Sequence, residues 1–136
     1  MTSLLVDTNT YTAFWEDDPK IAAVFELAET LVFPFITVGE LLAGFRLGNR
    51  ENENRNRMND LLISRHTEIL YADRNTPEFY ATIFSELRRK GRPIPTNDIW
   101  IAALARQHDM PVCSLDTHFK FVDGLKLVTD ATDLGG

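Results

Sequence analysis

Short, wholly apolar segments alternate with helical runs along this chain, and acids stand where the apolar segments stop. Leu4-Leu5-Val6 ends at Asp7, and Val112-Cys113-Ser114 is followed closely by Asp116. Glu40 comes one helical turn after the apolar stretch that ends at Ile36, and Asp98 opens the helical run from Ile99 to about His108. Strands without polar alternation must be covered on both faces, and strands alternating with helices imply βαβ units. The expected fold is therefore α/β: a central parallel β-sheet of about five strands flanked by α-helices on both faces. In such a sheet the strand ends and their adjoining turns share one edge.

The elements follow from periodicity and capping. Strands are expected at Leu4–Val6, Leu31–Ile36, Glu68–Tyr71, Pro111–Ser114 and Leu125–Val128. Asp7-Thr8-Asn9-Thr10 should cap a helix running toward Trp15, and Pro19 should stand first in a helix whose Ile21, Val24, Phe25 and Ala28 recur at core spacing. Thr37-Val38-Gly39-Glu40 matches a capping box, with Thr37 at the cap and Glu40 reaching back to it. Gly48-Asn49 should break that helix, and the Asn/Glu/Arg-rich stretch that follows reads as an exposed helix start leading into Met58, Leu61 and Leu62. Thr76-Pro77-Glu78 and Thr96-Asn97-Asp98 read as two further helix starts, the first helix ending in a basic turn and Gly91. Phe14, Phe45, Phe79 and Phe84 fall at helical core positions, and Trp15 and Trp100 read as core or interface residues.

Composition narrows the class. The 136 residues, 44% of them hydrophobic, fit one globular domain, 1–136. No apolar run approaches the ~20 residues of a membrane span, and no signal-peptide pattern follows Met1. The one cysteine, Cys113, lies in an expected buried strand, which fits a cytoplasmic setting. A net charge of -6 argues against a protein that coats nucleic acid by charge alone. Two clusters run against that balance: Arg46, Arg50, Arg55, Arg57 and Arg65, and then Arg88, Arg89, Lys90 and Arg92. Each reads either as a solvated helix face or as a phosphate-contacting surface.

Each acid has a structural reading: Asp7 as a helix cap, Glu40 in its capping box, Asp98 in a first helical turn, Asp116 in a Ser-Leu-Asp-Thr turn. Their joint placement adds a chemical one. Two unit charges 4 Å apart at an effective dielectric near 20 repel by roughly 4 kcal/mol, and a divalent cation reverses that sign. All-oxygen ligands favour Mg²⁺ or Mn²⁺. A metal-activated water then attacks a phosphate ester, so a nuclease is the leading reading. Thr8, Asn9 and Thr96 are neutral candidates to orient water or carboxylate, though each also reads as a helix cap.

The motifs resemble those of PIN-domain nucleases. Val6-Asp7-Thr8-Asn9 is similar to the family's opening, and Thr37-Val38-Gly39-Glu40-Leu41 resembles its second motif. Pro95 to Ala103 resembles the third, and Ser114-Leu115-Asp116-Thr117-His118-Phe119 the fourth. The short form looks most like the toxin of a VapBC-type toxin–antitoxin pair. The resemblance implies Mg²⁺- or Mn²⁺-dependent RNA cleavage, with Asp7, Glu40, Asp98 and Asp116 as catalytic metal ligands and one or two ions. It also implies a homodimer and a small antitoxin protein that blocks the site. His118 stands where some members have a further acid, which bears on a second ion and makes it a candidate for touching substrate. Ser114 keeps the hydroxyl of the Thr frequent in the family.

Two other readings compete. A haloacid-dehalogenase-like phosphatase also begins with a strand ending in Asp, but needs an acid two residues on, where this chain has Asn9. A non-catalytic interaction module would bind a metal without turnover.

Overall fold

Leu4, Leu5 and Val6 are all fully buried, and they point alternately to the two faces of a sheet, as period-two geometry requires. The computed structural model describes residues 2–64 and 66–134. These form β1 (Ser3–Val6), α1 (Thr8–Trp15), α2 (Pro19–Leu27), β2 (Thr30–Pro34), α3 (Phe35–Leu47), α4 (Glu51–Ser64) and β3 (Thr67–Leu70). Then come α5 (Thr76–Lys90), α6 (Thr96–His108), β4 (Val112–Cys113) and β5 (Leu127–Val128), with a 3-10 helix at Thr117–Phe121 and another at Ala131–Leu134. The five strands form one sheet in the order β3-β2-β1-β4-β5, every neighbouring pair parallel.

Each face carries its own core. Leu4, Val6, Leu31, Phe33 and Cys113 pack with Tyr11, Ile21, Phe25, Leu41 and Met58, so α1 to α4 cover one side. Leu5, Val32 and Val112 pack with Ile83, Leu87, Ile101 and Phe119, so α5, α6 and the first 3-10 helix cover the other. The expected helix–sheet–helix layering is observed. Among the described residues, no helix is long and apolar enough to cross a membrane. Arg65 lies outside the described residues.

The strand order decides where a site can form. From β1 the chain steps outward to β2 and β3, then returns to place β4 on the other side of β1. The connections after β1 and β4 leave in opposite directions, opening a crevice at the carboxyl ends of those two strands. The α5–α6 pair brings a helix start to the same edge. Gln107 near the end of α6 accepts from the Thr76 hydroxyl at 2.7 Å and donates to Asp73 at 2.9 Å. The start of α5 therefore lies beside the end of α6, and α6 begins at the turn 91–95.

Several local expectations are corrected. β2 stops at Pro34, and Phe35 and Ile36 open α3 rather than extending the strand. Proline has no N–H for the ladder, and its fixed φ suits the residue before a helix. Thr37 is consequently not a cap but the third residue of α3. It is fully buried, and its hydroxyl donates to the Val6 carbonyl at 3.0 Å. The capping box is replaced by a tie from α3 to the end of β1, which frees Glu40. Thr76 and Thr96 are likewise first helical residues, behind Asn75 and Pro95, and neither helix has a side-chain cap. Pro19 does open α2, and Asp18 caps it by accepting from Lys20 N and Ile21 N. The break at Gly48 and the left-handed Gly91 (φ 67) end α3 and α5 as expected.

Thr37→Val keeps the side-chain shape but strips the hydroxyl from the α3–β1 tie. Urea unfolding is expected to show a loss of about 1–3 kcal/mol with the m-value unchanged. A variant as stable as wild type would show that the tie contributes nothing.

Candidate active site

Asp7 stands immediately beyond β1, in extended backbone (φ -87, ψ 173), and caps α1 by accepting from Thr10 N at 2.9 Å. Its other carboxylate oxygen accepts from the Ser114 hydroxyl at 2.5 Å. Ser114 Oγ in turn accepts from Asp116 N at 2.9 Å. The Thr10 hydroxyl donates to the Cys113 carbonyl at 2.9 Å. These bonds join the ends of β1 and β4 across the crevice. The cap reading of Asp7 and its placement in the crevice are therefore both true.

Glu40 projects from the second turn of α3. Its two oxygens accept from the Thr8 hydroxyl at 2.7 Å and the Asn97 side-chain amide at 3.3 Å. Asp98 enters from the first turn of α6. Asp116 caps the 3-10 helix by accepting from His118 N at 2.9 Å. The His118 ring nitrogen Nδ1 lies 3.1 Å from Asp98 and 3.0 Å from Asp116, bridging the two acids.

All four acids line one cleft of about 420 Å³, together with Thr8, Asn9, Thr96, Asn97 and, on its floor, the buried Ile101. Asp98, Asp116 and His118 each offer a ligand atom within 4.8 Å of the others, a spacing one metal ion can bridge. Asp7 and Glu40 line the same cleft with their oxygens already engaged by hydroxyl, amide and backbone donors. Asn97, Thr10 and Thr37 went unassigned as site-building residues in the sequence. Asn97 was legible only as part of a helix start, and the two threonine hydroxyls serve strand carbonyls that no sequence pattern reveals.

The electrostatics bear the cost of this gathering. Burial raises the Asp7 carboxyl above its ordinary value, against the lowering effect of Ser114 and Thr10, with Asp116 adding repulsion. Burial likewise raises Asp98; His118 opposes that shift, while Asp116 and Asp7 reinforce it. A bound cation would favour the charged forms of these desolvated, mutually repelling groups. The Cys113 thiol is pushed up to about 12, chiefly by burial, so it is a packing group and not a nucleophile.

The family model for the PIN domain matches residues 4–125. The chain belongs to the PIN-domain family. Ribonuclease VapC1 of Haemophilus influenzae (strain R2866) is 35% identical over 105 residues, covering 74% of this chain and 77% of its own. Toxin FitB of Neisseria gonorrhoeae is 30% identical over 122 residues, covering 84% and 88%. The crystal structure of VapBC2 from Rickettsia felis, bound to a promoter DNA fragment, superposes with a TM-score of 0.84 at 22% identity, covering 93% of this chain and 98% of that chain. That likeness matches the five-stranded fold described above.

The raised carboxyls make a pH prediction for this PIN domain. Both acids hold protons more tightly folded than unfolded. The stability they contribute is complete below about pH 4, the ordinary aspartate range, and is lost as pH rises through the raised values. Asp98→Asn removes one source of that loss. In EDTA its melting temperature, relative to wild type, should be higher at pH 8 than at pH 4. A relative melting temperature that falls across that range contradicts the electrostatic account.

Proposed function

We propose that residues 1–136 form one PIN-like nuclease domain that hydrolyses RNA phosphodiesters with a metal-activated water. In this reading it is the toxin of a toxin–antitoxin pair. The observation that carries the proposal is the convergence of Asp7, Glu40, Asp98 and Asp116 on one cleft at the switch point of a PIN fold. The names of the relatives, a ribonuclease and a toxin, support the same reaction and setting.

Asp7, Glu40, Asp98 and Asp116, which line one cleft, would hold a divalent ion, with His118 beside Asp98 and Asp116. Predominantly oxygen donors favour Mg²⁺ or Mn²⁺, and one or two ions fit the number of acids. When bound, the ion supplies a water of lowered pKa and neutralises charge on the phosphoryl oxygens. The chain's own groups do the positioning. Ser114 and Thr10 N fix the Asp7 carboxylate, and Thr8 and Asn97 hold Glu40 from opposite sides. Asn9 and Thr96 present neutral polar groups to the cleft, suited to orienting water or a phosphate oxygen. His118 orients Asp98 and Asp116 and is the group best placed to meet substrate among the three histidines.

The phosphatase reading is not favoured, since Asn9 offers no acid where that chemistry needs one and both Asp7 oxygens are engaged. A non-catalytic module is not favoured, since the relatives are named as a ribonuclease and a toxin. The partner reading is a small VapB-like antitoxin that covers the cleft, in a homodimeric cytoplasmic protein; the naming of structural neighbours as VapBC supports the antitoxin.

An RNA cleavage assay with Mg²⁺ or Mn²⁺ tests the chemistry. Cleavage should vanish in EDTA and return on adding either ion. Asp98→Asn should lose more than the roughly 10–100-fold typical of changing a group behind a metal ligand, with its fold intact by circular dichroism. Cleavage by Asp98→Asn at the wild-type rate sinks the assignment. Purification from the native host should recover the chain with a small inhibitory protein whose removal restores cleavage; protein recovered only alone and active counts against the partner.

A further inference from the structure

The two arginine clusters, alike in sequence, differ in the fold. Arg46 and Arg55 both pair with Glu51, and Arg50 and Arg57 both pair with Glu53, so each of these four has a carboxylate partner, though two glutamates serve four arginines, and Arg57 also lies 5.4 Å over the Trp15 ring. At the end of α5, Lys90 pairs with Asp123. Arg88, Arg89 and Arg92 are exposed and have no carboxylate partner among the described residues. Two of them lie over aromatic rings: Arg88 is 5.1 Å from the centre of Phe84, and Arg92 is 5.0 Å from that of Phe121. Phe84, a core position by helical spacing, is in fact 39% exposed. In a chain of net charge -6 this is an uncompensated cationic patch.

Beside it opens an apolar pocket of about 350 Å³, walled by Phe84, Leu87, Pro93 and Ile94 with Arg88 at its side. Pro93 belongs to this pocket and Pro95 to the acidic cleft. Two residues of extended chain span at most about 7 Å, so the pocket and the cleft flank one short connector. Cations beside an apolar wall match a nucleotide strand, whose phosphates are anionic and whose bases are flat and apolar-faced.

We infer that single-stranded RNA reaches the acidic cleft across the α5–α6 turn, with phosphates on Arg88, Arg89 and Arg92 and a base in the adjoining pocket. The inference rests on the ribonuclease reading, and it supplies the attraction that the acidic cleft itself denies to a polyanion. Arg46, Arg50, Arg55 and Arg57, each with a carboxylate partner, take no part.

The test measures binding of a short fluorescent oligoribonucleotide to the Asp98→Asn protein in EDTA, with cleavage by otherwise wild-type protein measured separately. Changing Arg88, Arg89 and Arg92 together to Gln should lower the salt dependence of log affinity by about 2, given roughly 0.7 per phosphate contact on single strands. In the cleaving background KM should rise with kcat held. The same three changed to Lys should restore most of the affinity, which guards against a folding defect. Arg46→Gln with Arg50→Gln should change neither quantity. Inorganic polyphosphate and poly-glutamate should compete less well than RNA. RNA cut by wild type but bound equally by the Gln variant overturns the patch and spares the ribonuclease. Strong binding without any cleavage supports the patch and overturns the ribonuclease. Poly-glutamate competing as well as RNA assigns the surface to an acidic protein, and polyphosphate competing as well removes the base from the pocket; either result overturns the inference.

Discussion

The hydroxyl that Ser114 donates to Asp7 spans the one gap in the sheet where the chain changes direction. β1 and β4 are neighbours in space but more than a hundred residues apart in sequence, and β4 itself has only two residues. So short a strand contributes few ladder bonds. The Ser114–Asp7 bond and the Thr10 hydroxyl on the Cys113 carbonyl supplement it, and the Thr37 hydroxyl on the Val6 carbonyl ties α3 to the same end of β1. Those three side chains are fully or almost fully buried. A lost partner there leaves a polar group without water, which is costly in a core. Asp7 is positioned by one of the bonds that close the fold.

That economy has an electrostatic consequence. Asp7 and Asp98 are held where burial disfavours their charge, and Asp116 stands close to both. A fold selected for stability alone would put neutral side chains at these places. Keeping them acidic is a familiar exchange of stability for function. Such a site also repels polyanions until its charge is balanced. The unpaired arginines at the end of α5 lie across a short connector from it, while the arginines of α4 are matched by glutamates one helical turn away. Opposite charges three or four residues apart on a helix meet by geometry, so the composition of α4 already contains its neutralisation.

Much of this protein was legible in its residues. Leu4-Leu5-Val6 reads as a short strand covered on both sides, and the alternation with helical runs implies a parallel sheet. Asp18-Pro19 and the basic turn before Gly91 mark helix ends through strictly local chemistry. The four acids were found because each stands at a strand end or in a helical turn beside one, and parallel topology sends those places to one edge.

What the sequence by itself determined was the set of elements and the acids that gather, since periodicity, caps and strand ends depend on neighbours within a few residues. Only the tertiary structure decided what each polar group does once there. Thr37 looked like a cap, yet it serves a carbonyl thirty-one residues away. His118 looked like a substitute for a missing acid, yet it bridges two acids. Phe84 looked like core and lies half in solvent. Hydrogen-bond partners, burial and charge balance are properties of the space between elements, and that space comes into being when the sheet closes.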